Sequence, residues 1–175
     1  MTTVRMVSGK EIDLLNPDPK MIDIEDIAHH LAKLDRYNGA SPKFHYSVGQ
    51  HCLYVAQILP APLQLWGLLH DATEALCGDV VSPLKALIPA YKEIEEGISR
   101  AVCERFGLAC LDYAPIKAAD KAVMAAEMLQ LFGWKDLSAN VGVDPAKIKI
   151  KSMSWKSVKK EFLATYARLT EEQSF

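Results

Sequence analysis

The chain lacks several features that would assign a protein to a class at once. Its 175 residues include 20 Lys and Arg against 22 Asp and Glu, a formal net charge of −2, so no basic excess indicates a nucleic-acid partner. No apolar run approaches the roughly 18 residues of a membrane span, and the first residues contain no hydrophobic signal core. We therefore expect a cytoplasmic protein, in the host cytoplasm if a phage encodes it, without nucleic-acid or membrane partners.

The spacing of the cysteines argues against a disulfide-bonded protein and against a zinc knuckle. The four cysteines lack C-x-x-C spacing and lie mostly in apolar, helix-forming surroundings (Cys52, Cys77, Cys103 and Cys110). Structural thiols fit this pattern better than disulfides or a zinc knuckle. The chain also has no internal repeat, low-complexity tract or sign of a second domain. We expect residues 1–175 to form a single domain, a length that allows a substantial core.

Apolar side chains recur mostly with the 3.6-residue period of amphipathic helices. The pattern predicts helices over about 24–34, 48–59, 61–76, 82–87, 91–106, 112–132 and 154–172. A small hairpin is expected at about 3–15, and the alternation in residues 147–151 is typical of a short strand or an exposed extended segment. The predicted class is all-α, a helical bundle with a small N-terminal β-hairpin.

The stretch with the most unusual chemistry runs from Leu68 to Glu74. His70 and Asp71 are about 100° apart on a helix and can bind one cation, while Glu74 follows one turn later. A bound cation would offset the cost of burying charge in an apolar run. A solvated helix end explains the same dipeptide, so the pair alone leaves both interpretations open.

A second histidine and a further carboxylate extend this set. His51 lies on the preceding predicted helix, and Asp120 lies on the predicted helix over 112–132. Together the four residues offer two imidazole nitrogens and two carboxylates. This mixture suits Mn²⁺, Co²⁺, Fe²⁺, Ni²⁺ or Zn²⁺, whereas Mg²⁺ prefers oxygen ligands alone.

The same residues belong to a series of motifs in a fixed order. The series is Asp26-Ile27-Ala28-His29, Arg36-Tyr37-Asn38-Gly39, Tyr46-Ser47-Val48, Gln50-His51, His70-Asp71-Ala72-Thr73-Glu74, Gly78-Asp79, Ser82-Pro83-Leu84-Lys85 and Lys117-Ala118-Ala119-Asp120. In these motifs the chain resembles the HD-domain phosphohydrolases, in the branch that contains bacterial 5′-deoxynucleotidases and phage dATP triphosphohydrolases. The resemblance covers about residues 1–125 and implies a compact HD-domain helical bundle.

The resemblance also implies roles for individual residues. It places His51, His70, Asp71 and Asp120 on the ligand positions of a divalent transition metal (Mn, Co, Fe, Ni or Zn), with additional Mg²⁺ as an open option. Glu74 and Asp79 fall on acid/base or water-orienting positions, where a carboxylate takes the proton of the water that attacks phosphorus. The division of labour between these two carboxylates stays open.

Phosphate hydrolysis needs cations near the phosphate oxygens, and Arg36, Lys85 and Lys117 are the candidates. Tyr37 stands where some relatives have tryptophan, and its ring could pack on a deoxyribose and exclude a 2′-hydroxyl. The favoured function is hydrolysis of a dNTP, dATP by resemblance, to deoxynucleoside and triphosphate.

Other functions remain open from the sequence. The first is a 5′-deoxynucleotidase that releases orthophosphate from a dNMP, and the second is a nucleotide-binding sensor without turnover. A purely helical interaction module would leave the inward-facing charges unexplained. We also expect a homodimer or a higher symmetric homo-oligomer, because exposed apolar positions on peripheral helices are typical of related oligomers.

Overall fold

The predicted helices and hairpin form a helical bundle in the computed structural model, which describes residues 2–108 and 113–172. Strands β1 (Thr3–Arg5) and β2 (Glu11–Asp13) pair antiparallel with Val4 opposite Ile12. The α-helices of the described residues are α1 (Ile24–Lys33), α2 (Val48–Ile58), α3 (Gln64–Leu69), α4 (Glu74–Cys77), α5 (Ser82–Leu87), α6 (Pro89–Phe106), α7 (Ala114–Glu127), α8 (Lys135–Ala139) and α9 (Trp155–Glu172). A π-helical turn at Met128–Phe132 continues α7. The all-α class and the small hairpin are confirmed.

The ends of several helices follow from local side-chain chemistry. Asp23 accepts a hydrogen bond from the Glu25 amide at the start of α1, and Ser47 accepts one from the Gln50 amide at the start of α2. Gly107 ends α6 in the left-handed conformation, at φ 67°. The predicted start of the next helix at Asp112, and Cys110, lie outside the described residues.

Helix α2 lies at the centre of the bundle and packs against α1, α3, α7 and α9. Its side chains enter two apolar clusters. One cluster joins Val48 and Cys52 to α1, α3 and α9, and the other joins Val55 to Ile116 and Val123 of α7. Helix α2 therefore fixes α3 and α7 relative to each other, and these two helices flank the candidate site.

Two glycines allow the close approach of helices to α2. A methyl group at Gly49 would lie 3.0 Å from the Leu31 carbonyl carbon of α1, and one at Gly67 would lie 3.2 Å from Ala56 Cα. Both distances are shorter than ordinary van der Waals contact. The small residue at position 67 thus brings the end of α3, and with it His70, close to α2.

The prediction of one continuous helix over 61–76 was wrong. A 3₁₀ turn at Ala61–Leu63 precedes α3, and a tighter turn at residues 70–73 separates α3 from α4. The His70 ring bonds the Gly67 carbonyl through Nδ1 at 2.8 Å. In a continued α-helix that carbonyl would accept from the Asp71 amide. The side chain replaces this bond, and the His-Asp pair consequently lies in a turn.

The segment at residues 147–151 forms no strand and has a bend at Lys147. Its backbone groups bond instead to a side chain of the π-helical turn. The Gln130 amide nitrogen donates to Ile148 O at 2.9 Å, and the Ile150 amide donates to Gln130 Oε1 at 3.0 Å. Among the helices of residues 2–108 and 113–172, none has both the length and the apolarity to cross a bilayer.

Candidate metal centre

The four residues predicted as metal ligands converge at one point beside α2. His51 Nε2 lies 3.0 Å from Asp120 Oδ1 and 3.9 Å from Asp71 Oδ2, and His70 Nε2 lies 3.1 Å from Asp71 Oδ2. Ligand atoms of His51, His70 and Asp120 are all within 4.8 Å of one another. Donor atoms about 2.1 Å from a shared ion lie roughly 3–4 Å apart, so this spacing suits one cation.

The orientation of the two imidazole rings supports the same interpretation. The Gly67 carbonyl can only accept, so His70 Nδ1 donates to it, and His51 Nδ1 lies 2.6 Å from the carboxylate oxygen Glu127 Oε1. These bonds turn both Nε2 atoms toward Asp71 and Asp120. Both Nε2 atoms are buried and have no hydrogen-bond partner among the described residues, although a carboxylate oxygen lies near each. Buried nitrogens without partners, facing carboxylates, are what a metal ion satisfies.

The charges at the centre also favour a cation. Burial lowers the pKa of His70, but the Asp71 carboxylate raises it well above its ordinary value. Burial opposes ionisation of Asp71, but His70, His51 and Arg36 hold its pKa below the usual range. In the absence of a metal, His70 is therefore protonated, and its positive charge lies next to the Asp71 carboxylate. A metal would replace that proton, because a histidine ligand must be neutral.

Glu74 and Asp79 lie at the edge of this charge cluster. Glu74 begins α4, and its buried Oε2 has no hydrogen-bond partner in the described part of the chain. Burial, together with the charges of Asp71 and Asp79, raises the pKa of Glu74 to about 9. Burial also raises the pKa of Asp79, which follows the turn at Gly78. Glu74 is therefore a protonated acid at neutral pH until another cation approaches it.

Arg36 connects the centre to the loop that follows α1. Its Nε donates to Glu127 Oε2 at 3.0 Å, while its terminal nitrogens lie 3.9 Å from Asp71 Oδ2 and 3.7 Å from Asp120 Oδ1. The guanidinium therefore faces two of the predicted ligands. An anion bound at the centre would meet this charge directly, as predicted for Arg36.

Sequence reasoning missed Glu127, which lies beneath the centre. This carboxylate is fully buried, and Arg36 and His51 hold its pKa well below the usual range although burial opposes this. It follows Asp120 by seven residues, or two helical turns, so both lie on one face of α7. A carboxylate at that spacing on an otherwise apolar face was the available signal.

A cavity of about 370 Å³ opens onto the centre between α6, α7 and the turn at 70–73. Its volume is within the range of about 300–1,000 Å³ that is usual for small-molecule sites. Lys85 and Lys117 line it as predicted, together with Lys92 and Glu95 of α6. Lys85 Nζ lies 2.6 Å from Glu95 Oε1, so an incoming phosphate must compete with this pair.

The structure places Tyr37 differently from the other substrate candidates. Its hydroxyl donates to Glu127 Oε2 at 2.5 Å, and its ring meets the edge of Phe132 at 5.1 Å between centroids. Tyr37 is half-buried and does not line the cavity. Its hydroxyl is thus already used in the protein interior, and only its ring is left for contact with a sugar.

Cys52 is a buried thiol that lies close to the candidate metal centre. Its sulfur is within 4.8 Å of ligand atoms of His70 and Asp71. Complete burial raises the pKa of Cys52 to about 11. The side chain is therefore a neutral thiol at ordinary pH and packs in the apolar core, as the sequence predicts. Cys77 and Cys103 form no disulfide in the described part of the chain.

The fold and this site define a helical-bundle protein with a His/Asp cluster that could bind a metal. No family model matches the chain. It is 40% identical over 149 residues to uncharacterized protein RCAP_rcc00048 of Rhodobacter capsulatus, covering 78% of this chain and 76% of the relative. It is 39% identical over 133 residues to uncharacterized protein YfdR of Escherichia coli K12, covering 75% and 73%. The chain belongs to the family of these two proteins.

Proposed function

We propose that the chain is an HD-domain phosphohydrolase that cleaves deoxynucleotides with a divalent transition metal. The observation that supports this most directly is that the buried Nε2 atoms of His51 and His70 lie 3.0 Å from Asp120 Oδ1 and 3.1 Å from Asp71 Oδ2. A purely helical interaction module would leave these four converging groups at the end of a cavity unexplained. The order of the sequence motifs supplies the link to the HD-domain class.

His51, His70, Asp71 and Asp120 would hold the metal, and Mn²⁺, Co²⁺, Fe²⁺, Ni²⁺ and Zn²⁺ all suit these donors. Such an ion lowers the pKa of a water and polarises a phosphoryl oxygen. Glu74 is proposed to take the proton of the attacking water once the metal charge lowers its raised pKa, since its buried Oε2 has no hydrogen-bond partner among the described residues. Asp79 is farther out and is proposed to orient the water or a sugar hydroxyl.

The reaction breaks the bond between the α-phosphorus and the 5′ oxygen of the sugar. Water supplies a hydroxyl group to phosphorus and a proton to the leaving oxygen. The same bond breaks in a dNTP and in a dNMP, and the two differ only in the β- and γ-phosphates. Arg36 is proposed to contact the α-phosphate, because it faces Asp71 and Asp120.

We favour a triphosphate substrate because three lysines line the cavity next to the centre: Lys85, Lys92 and Lys117. A triphosphate would spread its charge over these lysines, in competition with Glu95 and Glu96, which line the same cavity and lie 2.6 Å from Lys85 Nζ and 3.9 Å from Lys92 Nζ. The products would be deoxynucleoside and triphosphate, with dATP proposed as the preferred substrate. The short Lys85–Glu95 ion pair favours the alternative, a dNMP nucleotidase, because it removes one cation from the phosphate site.

The test is incubation with separate dNTPs, NTPs, dNMPs and NMPs plus Mn²⁺ or Co²⁺, followed by ion-exchange identification of the products. We expect triphosphate and deoxynucleoside from dNTPs. Orthophosphate from dNMP alone would replace the favoured substrate with the alternative. Tight nucleotide binding without any product would indicate a sensor.

We further propose that the protein acts in the cytoplasm as a homodimer or higher symmetric oligomer. Helix α5 and the residues that flank it expose a group of apolar side chains, Val81, Leu84, Leu87 and Ile88. Leu87 is 78% exposed, and a group of neighbouring exposed apolar side chains is typical of a surface that binds another protein.

A further inference from the structure

Glu127 accepts four hydrogen bonds, two on each oxygen. Oε1 accepts from Tyr46 Oη at 2.7 Å and from His51 Nδ1 at 2.6 Å. Oε2 accepts from Arg36 Nε at 3.0 Å and from Tyr37 Oη at 2.5 Å. All four donors come from residues 36–51, far from Glu127 in sequence. A fully buried carboxylate with both oxygens shared in this way holds two different parts of the site at once.

The Oε1 atom of Glu127 determines which ring nitrogen of His51 faces the metal site. The carboxylate oxygen can only accept, so the bond keeps a hydrogen on Nδ1 and turns Nε2 toward Asp120. Without an acceptor at this place, the ring could rotate or place its hydrogen on Nε2, and either change removes a ligand.

The other oxygen bonds two side chains of a segment whose backbone conformation is unusual. Tyr37 and Asn38 have φ values of 57° and 53°, which residues other than glycine seldom adopt. Such residues persist where their surroundings hold them. The surroundings of Tyr37 are Glu127 Oε2 and the edge of Phe132, and the adjacent Arg36 bonds the same oxygen.

We propose that Glu127 is a positioning residue that fixes the metal ligand His51 and the Arg36–Tyr37 pair in a single arrangement. Metal affinity and nucleotide recognition therefore both depend on Glu127, which itself contacts neither the metal nor the nucleotide. The nucleotide half of this inference rests on the proposed function, whereas the metal half does not.

The first test is an NMR experiment on the wild-type protein, produced with ¹⁵N-labelled histidine residues and loaded with Zn²⁺. The NMR spectrum should show the His51 ring bound through Nε2, with a slowly exchanging proton on Nδ1. The His51 signal is assigned by its absence from His51→Gln. Coordination through Nδ1, or a rapidly exchanging Nδ1 proton, would overturn the proposal without any substitution at Glu127.

The second test is Glu127→Gln, which keeps the shape of the side chain but leaves only one accepting oxygen for the donors. Arg36 can only donate, whereas a neutral His51 Nδ1 can accept, so we expect the oxygen to face Arg36 and the amide group to face His51. Loss of a group that orients a metal-binding histidine typically costs 10- to 100-fold in affinity, so we expect Co²⁺ to bind about 10- to 100-fold more weakly. Unchanged Co²⁺ affinity in the folded variant would contradict the proposal.

Tyr46→Phe is the matched control, because it removes a donor from the same oxygen and leaves the bond to His51 in place. Its Co²⁺ affinity should remain within about twofold of wild type, by the same scale. An equal loss of affinity in Tyr46→Phe and Glu127→Gln would indicate a general packing effect and would overturn the positioning role.

Tyr37→Phe separates the two halves of the proposal. It should retain Co²⁺ affinity but raise KM for a dNTP, whereas Glu127→Gln should change both. Loss of Co²⁺ affinity in Tyr37→Phe would contradict the separate roles of the two oxygens. If the wild type hydrolyses no nucleotide, the proposed function fails, while the Zn²⁺ spectrum and the Co²⁺ affinities still decide the role of Glu127.

Discussion

Substitution of Glu74 by Gln should change how the stability of the metal-free protein depends on pH. Glu74 is buried among carboxylates, and its pKa is raised from an ordinary value of 4.5 to about 9. Between these two values the folded state holds a proton that the unfolded state has lost. The stability contributed by this proton is present below about pH 4.5 and decreases as the pH rises toward 9.

The size of the effect follows from the linkage relation. One proton held only in the folded state gives a slope of about 1.4 kcal/mol per pH unit, or about 3 kcal/mol between pH 6 and 8. Because the pKa of His70 is also raised, stability falls further as the pH rises above 6.5, in the wild type and the variant alike. The difference between the two proteins therefore isolates Glu74, and Gln at this position should flatten the curve.

The assay is urea denaturation of both proteins in a chelating buffer at several pH values. Wild type should lose stability relative to Glu74→Gln as the pH rises from 6 to 8. Curves that stay parallel over this range would refute the buried, protonated state of Glu74. Saturating Mn²⁺ should reduce the difference, because a nearby cation favours the charged carboxylate.

Three other predictions concern the ligands, the cavity and assembly. His70→Ala or Asp71→Ala should abolish metal retention and hydrolysis together while helical circular dichroism persists, and full activity in either would remove these residues from the site. Lys117→Ala should lower kcat/KM for a dNTP by about 10- to 100-fold, because a charge-assisted hydrogen bond is worth about 1.5–3 kcal/mol, with little effect on any dNMP cleavage. An equal effect on both substrates would argue against a phosphate-chain contact. Light scattering at micromolar concentration should give the mass of a dimer or a multiple of it, and a mass near the 19.4 kDa of one chain would contradict this.

Much of the fold could be predicted because its helices obey local rules. Apolar spacing, the caps at Asp23 and Ser47 and the glycine at 107 are all visible in the sequence. The break at residues 70–73 could not be predicted in the same way. It depends on the His70 ring bonding the Gly67 carbonyl, and periodicity does not encode the direction of a side chain.

The site shows the same division between local and distant information. His51, His70 and Asp120 lie together, and Asp71 Oδ2 lies near both histidines, while their role as one ligand set stays a prediction. Glu127 resembles any helix-surface carboxylate in the sequence, because its four donors lie 76–91 positions away. The Lys85–Glu95 ion pair likewise depends on how α5 packs against α6.

The measurement that tests the central claim most directly is a Co²⁺ titration of metal-free protein, followed by absorption and by hydrolysis of a dNTP. Our account predicts that both signals rise together and stop at one equivalent of Co²⁺ per site. It also predicts that His51→Ala and Asp120→Ala lose both. Full hydrolysis in the chelated protein, or one equivalent of bound Co²⁺ with no hydrolysis of any deoxynucleotide, would contradict the account.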